Sequence, residues 1–123
     1  MCSSDLAGDA TALDPTQQRG LELFLSAGCT TCHNGNAIGG AMFQKLGLVH
    51  PYETEDAGRF KVTGQESDRG FFKVPGLRNV AKTGPWFHDG SVATLGDAVR
   101  KMAWHQLGRE LTDAEVADRK SVV

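Results

Sequence analysis

The stretch GCTTCHNG, residues 28–35, decides the reading of this chain. Two cysteines stand three apart, and His33 follows the second at once. Cys-x-x-Cys-His is the attachment signature of c-type haem. In that chemistry the thiols of Cys29 and Cys32 add to the two vinyl groups along one edge of the porphyrin. His33 then offers an imidazole nitrogen to iron. Three rivals use the same residues. Zinc sites usually draw four ligands from two pairs, and no second cysteine pair or close histidine pair is present. A thioredoxin-type thiol pair sits at a strand end in a βαβ setting, whereas here a helical pattern leads into the motif. A disulfide across so short a span would be strained and would leave His33 unexplained.

The rest of the composition suits a haem protein. The chain has 123 residues, a net charge of −2 and 40% hydrophobic residues, enough for one domain. Fifteen glycines are about twice the usual share of roughly 7%. So many turns leave little side-chain material for a core, which a prosthetic group would complete. The charge gives no pull towards nucleic acid or an anionic membrane. No apolar run approaches the ~20 residues of a membrane span, and Met1–Cys2 lacks the charged start and apolar stretch of a signal peptide. Cys2 reads as an unpaired terminal residue.

Residues 1–13 read as a disordered or foreign lead. Asp14 then fits an N-cap, Pro15 the first helical position and Gly28 the stop, with Leu21, Phe24 and Leu25 on one face. Residues 41–46 suggest a short helix, and GRFKVTG (58–64) suits a strand or a loop equally. Pro75 and Pro85 exclude a long helix across residues 68–90. Thr94 caps a second helix whose Leu95, Ala98, Val99, Met102 and Gln106 share a face and which ends at Gly108. Thr112 and Glu115 form a capping box for a third. The expected fold is all-α: a cytochrome c-like haem domain over residues 14–118, with few helices and long loops, and a foreign tail at 119–123.

The sixth iron position has five candidates: Met42, Met102, His50, His88 and His105. Met102 lies on the inward face of its helix, where a methionine is most often plain core filler. Met42 follows His33 closely and would have to wrap round the ring edge. His88 suits a haem propionate better than iron.

From about residue 20 to 115 the chain resembles the C-terminal haem domain of bacterial di-haem cytochrome c peroxidases. The resemblance rests on GCTTCHNG, then GGAMFQKLG (39–47), DAGRFKVTG (56–64), DRGFFKVPGLRNVAKTGPWFHDGS (68–91), TLGDAVRKM (94–102) and HQLGRELTDAEV (105–116). The long segment 68–91 is the most specific. The resemblance implies Cys29 and Cys32 as attachment sites of one covalent haem c, His33 as proximal ligand and Met102 as distal ligand. A related branch that makes tryptophan-derived quinones has tyrosine at the place of Met102. The resemblance further implies a calcium ion between two domains, with main-chain carbonyls of Thr83 and Pro85 among its ligands. Arg78 and His88 become candidates for propionate contacts, and Trp86 and Trp104 pack rather than relay electrons. The implied function is the electron-accepting half of a periplasmic enzyme that reduces hydrogen peroxide to water. Its implied partners are a small donor cytochrome or copper protein, an N-terminal peroxidatic haem domain and a second copy in a homodimer. A chain with one haem motif lacks that N-terminal domain, so its peroxide-cleaving residues are expected elsewhere. The alternative is a stand-alone monohaem electron carrier without peroxidase activity.

Overall fold

The computed structural model describes residues 11–120; the expectations placed on residues 1–10 and 121–123 lie outside them. Helix α1, Pro15–Ser26, begins as its cap residues dictate. The Asp14 carboxylate accepts from the N–H groups of Thr16 and Gln17, and the Gln17 side chain accepts in return from the Asp14 N–H. Gly28 ends the helix in the left-handed region, at φ +86°. Helix α2 is a single turn, Phe60–Thr63, closed by Gly64. Helix α3, Leu95–Leu107, is capped by the Thr94 hydroxyl and stopped by Gly108 at φ +64°. Helix α4, Asp113–Lys120, opens on the Thr112–Glu115 box.

The all-α expectation is corrected in one respect. Residues 41–46 are extended, and β1, Phe43–Lys45, pairs antiparallel with β2, Phe71–Lys73, with Gln44 opposite Phe72. Flanking bonds from Gly40 N–H to the Val74 carbonyl, Val74 N–H to Met42 and Leu46 N–H to Gly70 lengthen the ladder. Partners near 72 supply the hydrogen bonds that a lone helical turn would have to find locally. Residues 60–63, open between strand and loop in the sequence, form α2, whose Phe60 ring carries the Arg69 guanidinium 3.9 Å from its centroid.

Helices α1 and α4 pack together, and α4 also packs on α3. Gly96 of α3 faces Val116 of α4, and a Cβ there would make an ordinary contact, 3.5 Å from its Cγ1. The α3 face is therefore split. Gly96, Ala98 and Ala103 are buried, while Leu95, Val99, Met102 and Gln106 are half-buried. Helix α4 runs on through Arg119, which is buried and donates to the Leu23 carbonyl at 3.1 Å. Among the described residues only seven apolar side chains are buried, and Phe24 is the single aromatic one. No helix among them is long and apolar enough to cross a membrane.

Candidate functional site

Helix α1 delivers the motif and Gly28 turns the chain into it. Residues Cys29–Thr31 form a 3-10 turn. The N–H groups of Cys32 and His33 both bond back to the Cys29 carbonyl, at 3.3 and 2.9 Å. One tight turn thus sets Cys29 and Cys32 on the same side, with His33 next in the coil. The Asn34 carboxamide closes the turn by donating to the carbonyls of Thr30 and Thr31.

The loop after the motif is clamped by the segment after β2. Leu77 N–H lies 3.2 Å from the carbonyls of both Ala37 and Ile38, and the Arg78 Nε donates to the Asn36 carbonyl. Gly39 lies so close to Pro75 that a Cβ would fall 2.1 Å from the Pro75 oxygen. Ile38, buried at 4% exposure, is held at φ +52°. A β-branched residue seldom adopts that conformation, and it persists only where the surroundings over-determine it.

His33 is half-buried, and its Nδ1 is buried without a hydrogen-bond partner. Burial pushes the imidazole pKa down; the carbonyls of Ile38 and Pro75 oppose this, yet neither closes a hydrogen bond on Nδ1. The result is a neutral ring, the form that binds metal. Both thiols are free and half-buried. Burial raises the Cys29 pKa, and the nearby Arg119 guanidinium offsets part of that rise. Among the described residues no three His, Cys, Asp or Glu side chains converge on a metal ion, which disfavours zinc. The motif follows a helix rather than a strand, which disfavours thioredoxin-type chemistry. Two unbridged thiols one turn apart, a neutral histidine beside them and a sparse core fit haem c.

The three competing histidines are engaged elsewhere, while Met42 joins the strand ladder through its backbone carbonyl. His50 stacks on Trp104, with centroids 3.9 Å apart. The His105 Nδ1 meets the His50 carbonyl at 2.9 Å. His88 lies against Phe72, 4.1 Å between centroids, and 3.5 Å from the Thr54 hydroxyl. Arg78 reaches the motif loop, whereas His88 belongs to a different cluster. Met102 is on α3, and no hydrogen bond or ring contact joins it to the motif among the described residues. Thr83 and Pro85 flank a surface turn after the 3-10 turn Val80–Lys82. A surface cleft of about 500 Å³ lies by Lys45, Tyr52, Asp56, Arg69 and Phe72 and includes neither the motif nor Met102.

No protein-family model matches the chain. It is 51% identical over 114 residues to the cytochrome c551 peroxidase of Nitrosomonas europaea, covering 91% of this chain and 34% of that protein. It is 45% identical over 118 residues to a cytochrome c peroxidase of Escherichia coli, covering 92% and 25%. The chain is a homologue of the bacterial cytochrome c peroxidases. This peroxidase homologue spans about a quarter to a third of the curated relatives it matches. Its fold also matches a crystal structure of a MauG-like protein associated with microbial copper homeostasis. That match has a TM-score of 0.75 and 28% identity over 93% of this chain and 47% of the other.

The structure of the peroxidase homologue adds residues that its sequence did not point to. The Gln44 Nε2 lies 4.0 Å from the Cys32 sulfur, because β1 brings it there. Arg119 stands beside Cys29 although residues 119–123 read as a tail. No local signal marks either one, since each contact joins segments far apart in the chain.

Proposed function

We propose that this chain is the electron-accepting haem c domain of a di-haem cytochrome c peroxidase. The coiled Cys29–His33 turn, with its two free thiols and neutral imidazole, carries the reading. Cys29 and Cys32 would hold the group as thioethers, and His33 and Met102 would bind its iron. Haem c supplies reversible one-electron exchange, and a methionine ligand raises its potential. The chain's residues would do the rest: the clamped 34–40 loop would orient His33, and Met102 would be the second protein ligand. With His33 and Met102 both bound, this domain would leave no position for peroxide. Cleavage of peroxide, with two electrons and two protons giving two waters, belongs to a second domain of the whole protein. Electrons come from a small cytochrome or copper protein, and the compartment is the periplasm, where haem c is attached. Arg78 and His88 are the chain's cationic candidates for propionates, with Arg78 the better placed. Thr83 and Pro85 would supply two of the six to eight oxygens that calcium takes, and no step depends on calcium.

The test is to replace Cys29 and Cys32 together by Ala in the haem-loaded chain. Covalent haem on a denaturing gel should vanish, and haem persisting there would overturn the reading. In the whole gene, a second Cys-x-x-Cys-His supports the peroxidase; a frame with this motif alone favours the stand-alone carrier.

A further inference from the structure

The C-terminal turn of α3 is fastened to the loop that leaves β1. The Gln106 Oε1 accepts from the backbone N–H of Gly47 at 2.7 Å and of Leu48 at 3.0 Å. Its Nε2 donates to the Lys45 carbonyl at 2.9 Å. Next to it, the His105 backbone carbonyl accepts from the N–H groups of Val49 and His50, at 2.9 and 3.2 Å. The last carbonyls of a helix have no partner within it, and this loop satisfies one of them.

Apolar cover over this part of the helix is partial: Ala103 is buried and the His50 ring stacks on Trp104, but the loop's own apolar side chains stay largely open. Leu48 and Val49 are 55% and 51% exposed, and Trp104 is 40% exposed. The polar clasp adds directional bonds that fix the height and rotation of the last turns alongside the His50–Trp104 stack. Met102 precedes Gln106 by four residues, and side chains four apart stack on one helix face. Any slip of the clasped turn therefore carries the Met102 sulfur with it.

We propose that Gln106 is a positioning residue: its three-bond clasp to residues 45–48 holds the Met102 thioether at the iron of the bound haem. This rests on Met102 being the distal ligand. A neutral thioether is a weak ligand for ferric iron, so the bond depends on where the protein places the sulfur. Gln106 does this through the helix and does not touch the iron.

The experiment titrates the haem-loaded ferric chain with imidazole, which competes with the thioether. Wild type, Met102→Ala, Gln106→Ala, Gln106→Glu and the Met102→Ala/Gln106→Ala double variant are compared, and urea unfolding is followed in parallel. Met102→Ala should bind imidazole much more tightly than wild type. Gln106→Ala should shift the affinity the same way by about tenfold, the worth of roughly one net hydrogen bond. Gln106→Glu keeps the acceptor but cannot donate to Lys45, so it should fall between. In the double variant the Gln106 change should add nothing. If Gln106→Ala lowers the urea midpoint but leaves imidazole affinity at the wild-type value, Gln106 is only structural and the proposal is overturned while Met102 stands. If Met102→Ala itself leaves the affinity unchanged, the distal-ligand reading fails and the proposal with it. Should Gln106→Ala take up no haem, Gln106→Glu decides by the same criterion.

Discussion

Replacing Gly39 by Ala tests whether the clamp on the motif loop is as tight as the coordinates indicate. A Cβ at residue 39 would lie 2.1 Å from the Pro75 oxygen and 2.8 Å from its carbonyl carbon. Neither atom is a flexible side-chain tip, so one backbone segment must move. The residue also sits at φ +130°, where an L side chain is strained. That strain costs about 1–3 kcal/mol, and forcing the segments apart a further ~1–3 kcal/mol. The combined loss of roughly 2–6 kcal/mol is a large part of the 5–15 kcal/mol that usually holds a domain together. Gly40 is the built-in control: its φ is +84°, yet nothing lies within 4 Å of an added Cβ. Gly40→Ala should cost only the backbone strain. Urea unfolding of the haem-loaded chain reads the difference. With a slope of about 2 kcal/mol per molar, Gly39→Ala should lower the midpoint by about 1–3 M and Gly40→Ala by about half as much. Equal shifts for the two variants would refute the close approach of the 34–40 loop to Pro75.

Further changes probe other parts of the molecule. Met102→His should lower the reduction potential by a sizeable fraction of the ~0.8 V that axial ligands span; a redox titration with no shift would remove Met102 from the iron. Arg119 is buried with its Nε unpartnered. Its Nη2 nevertheless donates to the Leu23 carbonyl, so Arg119→Met should leave that carbonyl without its donor and cost about 1–3 kcal/mol; an unchanged or higher urea midpoint would contradict this. Glu115 has its pKa held below the usual 4.5 by the Thr112 N–H and hydroxyl, then by Arg109. Its folded pKa being depressed, its contribution is present above 4.5 and is lost as pH falls through the lower folded value. Thermal melts should show that loss in wild type and not in Glu115→Gln.

Much of the site was legible because its signals are local. The motif turn needs only residues 28–34: a left-handed glycine, a 3-10 turn and an asparagine to close it. The helix ends at Asp14, Gly28, Thr94, Gly108 and Thr112 were equally readable, because a cap is satisfied within a few residues of itself. What failed was non-local. Residues 41–46 suggested a helix because nothing near them announces β2, some thirty residues on. Gln44 reaches Cys32 only through that strand pairing, and Gln106 finds its three partners some sixty residues earlier in the chain.

The amino-acid order alone determined the three longer helices, the Cys29–His33 coil and the haem chemistry that the coil suits, since these follow from neighbours bonding neighbours. Tertiary structure alone decided that Pro75, Leu77 and Arg78 clamp the motif loop, that Arg119 lies buried beside Cys29 and that Gln106 fastens the Met102 helix to the end of β1. Those contacts join distant segments, and only the packed chain, with its glycines allowing backbones to approach, brings them within hydrogen-bonding reach.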